Sequence, residues 1–297
     1  GSEMCIRDRL LLCLCFAGCK EKTVVESDYL PIADPYVMLY EGKYYAYGTG
    51  GTVEGEGFAC FSSDDLKNWT REGQALSAAN SYGTWGFWAP EVYYIKSKNK
   101  FYLFYSTEEH ICVATADVPQ GPFRQEVKQP IWGEKSIDTS LFIDDDGTPY
   151  LYFVRFTDGN VIWVAEMNDD LTGIKQETLT ECIKAEEPWE LSQDKPAKVA
   201  EGPSVLKKNG IYYLIYSANH FESKNYGVGY ATSDSPMGPW TKYVGNPILQ
   251  RVDELMGTGH GVPFLCKDGS WKYIFHAHWS STKVQPRTSY ILSLIHI

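Results

Sequence analysis

The sequence predicts an all-β chain folded as a five-bladed β-propeller, with four-stranded antiparallel blades and a last blade truncated by the end of the chain. Two observations carry this. An aromatic-rich strand pattern opens on a turn residue five times, and one polar residue, mostly acidic, stands eight or nine positions before each turn. The turns begin at Gly42, Asn99, Gly147, Gly210 and Gly269, about 50 to 60 residues apart, close to the spacing of repeat architectures.

The five strands follow in order. They are Gly42-Lys-Tyr-Tyr-Ala-Tyr-Gly, Asn99-Lys-Phe-Tyr-Leu-Phe-Tyr, Gly147-Thr-Pro-Tyr-Leu-Tyr-Phe, Gly210-Ile-Tyr-Tyr-Leu-Ile-Tyr and Gly269-Ser-Trp-Lys-Tyr-Ile-Phe. Aromatic and β-branched residues suit a pleated, buried surface, and the leading Gly or Asn suits a turn. No 3.6-residue apolar period competes with them. Val92-Tyr-Tyr-Ile95 and Ser204-Val-Leu206 precede their turns and complete hairpins. Ala59 to Trp69, Val113 to Phe123 and Tyr230 to Trp240 are near copies, and Ile162 to Leu171 is a looser one. They add a third strand, a turn and a fourth strand per unit. Radial repetition of such units protects sheet edges. The competing architecture is a β-sandwich whose hairpins resemble one another by chance. The fifth unit has its Gly269 hairpin, and the chain ends before a third and fourth strand are completed.

Charge narrows the function. There are 27 Lys and Arg against 38 Asp and Glu, a net charge of −11, which argues against nucleic acid, whose partners carry a basic stripe. The 21 Tyr, 9 Trp and 13 Phe suit a neutral ligand with flat apolar faces, although most of them serve blade cores. Among the eight cysteines, Cys60, Cys112, Cys182 and Cys266 lie far apart with no zinc spacing. Buried free thiols are expected.

The N-terminal segment reads as an export signal. Arg7 and Arg9 precede the apolar run Leu10 to Gly18, which is too short to span a bilayer. Phe-Ala-Gly-Cys19 resembles a bacterial lipobox, which implies lipidation at Cys19, an exported lipoprotein, and membrane contact only through that anchor. The expected organisation is a signal over 1–19, a tether over 20–31, one catalytic domain over 32–290 and a foreign tail over 291–297. Residues 1–9 also resemble translated adapter sequence.

The polar residues before the turns are Asp34, Glu91, Asp138, Glu201 and His260. Each lies among Gly, Pro or Ser, and radial units would gather all five at one axis. Singly, Asp34 before Pro35 is an ordinary turn residue, Glu201 before Gly-Pro caps a turn, and Asp138 forms an Asx turn. Jointly, three acids at one phase point to catalysis. Asp144-Asp-Asp-Gly147 and Ser63-Asp-Asp65 read as turns, because the first fails the calcium-loop spacing.

Ala33-Asp34-Pro35, Trp88-Ala-Pro-Glu91, Ser136-Ile-Asp138-Thr-Ser, Glu201-Gly-Pro203 and Gly257-Thr-Gly-His260, in this order, resemble glycoside hydrolase family 43 from about Ile32 to about Arg287. The resemblance implies inverting glycosidase chemistry, in which one carboxyl donates a proton and another activates water. It implies Asp34 as general base, Glu201 as general acid, and Asp138 as the group that raises the pKa of the acid and orients it. It implies substrate contacts from Trp88, Glu91, Phe221, His260 and Arg287. It implies no obligatory cofactor, with a calcium or other ion near His260 in the central channel. Trp85, Phe87, His220 and Phe221 are expected to shape specificity. The expected substrate is an oligosaccharide or polysaccharide of the plant wall, from which single α-L-arabinofuranosyl or β-D-xylosyl groups are removed. Glu91 stands where many members have Asp, which leaves the sugar open. One rival is a retaining fructan hydrolase, which carries Arg-Asp-Pro and Glu-Cys motifs in its middle blades where the matching places here read Ser-Ile-Asp138 and Glu201-Gly-Pro. The other is a non-catalytic sugar-binding propeller, which need not keep three acids.

Overall fold

The computed structural model describes residues 11–16, 19–24, 26–52, 56–192, 194–195 and 197–294, with 11–29 as backbone alone. The side chain of Cys19 and the segments 1–10 and 295–297 lie outside the described residues. Strand β1 (Leu11–Phe16) pairs with β2 (Cys19–Val24) as a separate antiparallel hairpin. β3 (Glu26–Leu30) leads into the repeats.

Five sheets follow. The first blade is β4 (Ala33–Tyr40), β5 (Lys43–Thr49), β6 (Gly57–Ser63) and β7 (Thr70–Ser77). The second is β8 (Trp88–Ile95), β9 (Lys100–Thr107) and β10 (His110–Ala116), and the third is β11 (Ser136–Ile143), β12 (Pro149–Phe156), β13 (Asn160–Glu166) and β14 (Thr180–Ile183). The fourth is β15 (Ala200–Lys208), β16 (Ile211–Ala218), β17 (Gly227–Ser233) and β18 (Thr241–Lys242). The fifth is β19 (Gly259–Leu265), β20 (Trp271–Ala277) and β21 (Thr288–Ser293), with β3 as its outer strand. The innermost strands β4, β8, β11, β15 and β19 pack in a ring, and β19 meets β4. The structure is thus a five-bladed propeller.

Three details differ from the sequence reading. The last blade does obtain a third strand, β21, which takes in Ile291 to Ser293 from the segment read as a tail. Its fourth strand comes from the other end of the chain, where Glu26 to Leu30 had been read as tether. In the second blade the outer position holds only a single bridge, Thr115 to Arg124.

The repeated aromatics have a geometric cause. Successive side chains of a strand face opposite sides, and a blade between two neighbours is buried on both. In β5, Tyr45 and Tyr47 enter the core against the second blade, while Tyr44 and Ala46 enter the core against the fifth. In β9, Phe101, Leu103 and Tyr105 face the first blade, while Tyr102 and Phe104 face the third. Five such clusters fill the five gaps between blades. Burying each large side chain is worth about 1.5–3 kcal/mol, so continuous apolar runs here mean two cores rather than one. Cys60, Cys112, Cys182 and Cys266 are free thiols, and all but the half-buried Cys182 are buried. Asp144 to Gly147 is a turn, closed by the Gly147 N–H donating to the Asp144 carbonyl at 2.9 Å.

Candidate active site

Each innermost strand carries the same irregularity. The pairing register shifts between Ala33 and Tyr36, Trp88 and Glu91, Ile137 and Ser140, Glu201 and Ser204, and Gly259 and Val262. The first residue inside each bulge is left-handed: Asp34 at φ 47°, Ala89 at 45°, Asp138 at 57°, Gly202 at 56° and His260 at 45°. This ring corrects the phase inferred from sequence. Asp34, Asp138 and His260 are equivalent, but Glu201 stands one residue before the left-handed position and Glu91 two after it. A one-residue step moves a strand side chain to the other face. Glu201 and Trp88 therefore share a register and both line the large cleft, whereas Glu91 does not line it and faces a small cavity of about 10 Å³ beneath.

A second ring holds the bulges. The Ala89 N–H donates to Thr49 Oγ1 at 2.9 Å, Asp138 N–H to Ser106 Oγ at 2.9 Å, His260 N–H to Ser217 Oγ at 2.7 Å and Asp34 N–H to His276 Nδ1 at 3.1 Å. Each acceptor lies on the second strand of the preceding blade, at the residue paired with Ala33, Trp88, Glu201 or Gly259. The fifth such position is Val154, paired with Ile137, and its side chain accepts no hydrogen bond. The Gly202 N–H donates instead to Asp138 Oδ2 at 3.1 Å. Gly202 is needed here, because a Cβ would meet the His260 ring at 3.0 Å in a backbone conformation side chains avoid.

Asp34, Asp138 and Glu201 are all buried and have different electrostatic surroundings. Burial pushes Asp34 up, but the Arg287 guanidinium, His260 and His276 outweigh it and hold the carboxyl well below its usual range. Arg287 Nη1 donates to Asp34 Oδ1 at 2.8 Å and Nη2 to Oδ2 at 3.2 Å. His260 Nδ1 lies 3.3 Å from Asp34 Oδ1. Glu201 is raised to about 7 by burial and then by the charge of Asp138. Asn160 Nδ2 donates to its Oε2 at 2.8 Å and the Tyr226 hydroxyl to its Oε1 at 2.9 Å. Asp138 is itself raised to about 7, by burial and by Asp34. Glu91 is raised to about 8, chiefly by burial, and accepts from the Tyr93 hydroxyl. His276, fully buried, is pushed down to about 3 by burial and Arg287 and stays neutral.

The cleft above these groups has a volume of about 1020 Å³, and Trp88, Phe221, His260 and Arg287 line it with Asp34, Asp138 and Glu201. The Arg287 guanidinium sits 4.9 Å from the centre of the Phe221 ring. His220 lines the cleft and Trp85 is exposed at 53%, but Phe87 is buried, stacked on Tyr105, and does not line the cleft. Among the described residues no three His, Cys, Asp or Glu side chains are arranged to hold a metal ion. His260 faces Asp34 and Asp138, with Nδ1 3.3 Å and 3.9 Å from their carboxylate oxygens.

His276, Tyr226 and Asn160 were missed from sequence. His276 and Tyr226 look like ordinary core residues of their segments, and Asn160 like a turn residue before a strand.

Comparison with known proteins agrees with this geometry. The model of the family described as Glycosyl hydrolases family 43 matches residues 25–292. A crystal structure titled as an endo-1,4-beta-xylanase from Bacteroides thetaiotaomicron is 79% identical, with a TM-score of 0.86, over 89% of this chain and 90% of that one. A beta-xylosidase of Xylanibacter ruminicola is 30% identical, over 86% of this chain and 90% of its own length. An arabinoxylan arabinofuranohydrolase of Bacillus subtilis is 28% identical, over 84% of this chain and 56% of its own. With the propeller, the three buried carboxyls and a family match across nearly all the described residues, the chain belongs to glycosyl hydrolase family 43 and is a glycoside hydrolase.

Proposed function

We propose that the protein hydrolyses pentosides of plant-wall polysaccharides with inversion, with β-D-xylosyl or α-L-arabinofuranosyl groups in the reacting position. The observation that carries the reading is the contrast of two carboxyls in one cleft. Asp34 is held ionised, and Glu201 keeps a proton up to about pH 7. A protonated acid and an ionised carboxylate poised apart by their surroundings are what glycosidic hydrolysis requires, and inversion follows when the ionised one, here Asp34, activates a water.

Asp34 Oδ2 accepts only from Arg287 among the described residues, so a lone pair remains for a water. Asp34 removes a proton from that water as its oxygen bonds to the anomeric carbon. The glycosidic C–O bond breaks, and Glu201 gives its proton to the leaving oxygen. Asp138 keeps Glu201 protonated by its charge and steers it through Gly202. Arg287 fixes the plane of the base.

Asp34→Asn and Glu201→Gln are expected to lower kcat by on the order of 10²–10⁴ with unchanged circular dichroism, and NMR of the first product should show the inverted anomer. Near-normal turnover in either folded variant, or a retained anomer, removes that assignment. Release of single sugars belongs to this proposal. The xylanase title of the structure with 79% identity favours a second reading, in which the same centre cuts within a xylan chain. The size of the first products separates the two.

A further inference from the structure

At the rim of the second blade a large aromatic side chain is held in the open. Trp85 is 53% exposed and meets Trp88 edge to face, with ring centres 6.2 Å apart. Trp88 lines the cleft at the register of Glu201. An exposed indole in a propeller that buries most of its aromatics calls for a reason.

The loop that carries it is fixed. The hairpin between β9 and β10 turns through two residues, Glu108 at φ 51° and Glu109 at φ 57°. Such turns normally take Asn-Gly, because side chains disfavour this conformation. Strain of this kind persists where surrounding contacts over-determine it, and it often marks a working site. Here the contacts are specific. Glu108 Oε1 accepts from the Thr84 N–H and from Thr84 Oγ1, both at 2.9 Å. The Trp85 carbonyl accepts from Thr107 Oγ1 at 2.8 Å and from the Glu108 N–H at 3.2 Å. Gly83 lies so close to Thr107 that a Cβ would come within 2.2 Å of its hydroxyl oxygen. The other turn residue, Glu109, lines the cleft and holds Lys135 in an ion pair.

We infer that Trp85, Trp88 and Glu109 form a distal sugar subsite, which takes pyranose units of the substrate chain beyond the unit being cut. The inference rests on the proposed pentoside hydrolysis. A β-linked xylopyranose unit offers flat C–H faces to an indole and hydroxyls to a carboxylate. A furanose side group offers neither so well. The cost of ordering a bound chain is reduced when its platform is already rigid, which is what the strained Glu108–Glu109 turn provides.

The test is a ladder of xylobiose to xylohexaose, with kcat/KM measured for wild type, Trp85→Ala, Trp85→Phe and Glu108→Ala. Aromatic contacts of this type are worth about 0.5–1.5 kcal/mol, or roughly a two- to tenfold change. Trp85→Ala should lower kcat/KM for xylohexaose by about that factor more than for xylobiose. Trp85→Phe should recover part of it, and Glu108→Ala should reproduce the length-dependent loss. A loss equal at every length, or no loss, overturns the subsite. If wild type cuts no xylo-oligosaccharide, it is the β-D-xylosyl form of the proposed function that fails instead. Calorimetric titration of xylohexaose into wild type and Trp85→Ala then decides the subsite alone, and equal affinities overturn it.

Discussion

Val154 is the residue that breaks the symmetry of the site. Four of five bulge N–H groups are met by Thr49, Ser106, Ser217 and His276 from the preceding blade, and the fifth is met by the Asp138 carboxylate. An apolar residue at 154 thus couples Asp138 to the segment that carries Glu201. Val154→Thr offers a hydroxyl to the Gly202 N–H and frees Asp138. Asp138 then loses a bond that favours its charged form, so its pKa rises above about 7. Less negative charge remains beside Glu201 at neutral pH, and the Glu201 pKa falls below about 7. The proposed reaction needs protonated Glu201, so the descending limb of kcat/KM should move to lower pH. A hydrogen bond of about 0.5–1.5 kcal/mol corresponds to roughly half to one pH unit for Asp138 itself, and the Glu201 limb, which feels only the changed charge, should move by a fraction of that. A pH profile decides it, and an unmoved limb in the folded variant removes this role for Val154. Asp34, Asp138 and Glu201 were legible in the sequence because acids among Gly and Pro stand out from strand residues. Their partners were not, since a buried His or Tyr in an aromatic strand looks like packing.

At the scale of the element, the bulge in each innermost strand sets which side chains reach the cleft. The repeat was legible, but its phase was off by one residue at Glu201 and by two at Glu91, because bulge geometry leaves no fixed sequence signature. Ala89 is the only one of the five left-handed residues that is neither glycine nor polar. A non-glycine residue in this conformation costs about 1–2 kcal/mol, which exceeds the roughly 0.5–1 kcal/mol that glycine usually costs in a strand. Ala89→Gly should therefore leave the melting temperature unchanged or raise it. Calorimetry checks this, and a clear drop would show that the buried Ala89 methyl matters more than its backbone.

For the whole molecule, closure joins the two ends of the described chain. β3 pairs with β21 at Ser289 and Ile291, and Leu30 is 3% exposed. Deleting residues 1–30 removes this strand and the burial of Leu30, worth about 1.5–3 kcal/mol. For a domain of this size the melting temperature should fall by roughly 4–10 °C. The ring contacts of β19 with β4 are untouched, so the truncated protein should still fold. An unchanged melting temperature would mean that those inner contacts alone close the propeller.

The sequence by itself determined the fold class, the number of blades and the three acids, because strand chemistry and turn residues act over a few neighbours and recur in every unit. Only the tertiary structure decided what each acid is. Asp34 is held well below the usual carboxylate range because Arg287, from 253 positions away, lies on it, and Glu201 is raised to about 7 because burial and Asp138 act together. Only the assembled ring could show that the fifth blade borrows its outer strand, that Glu91 faces away from the cleft and that His276 holds the Asp34 backbone. Proton affinity depends on burial and on charges across space, and neither can be counted along a chain.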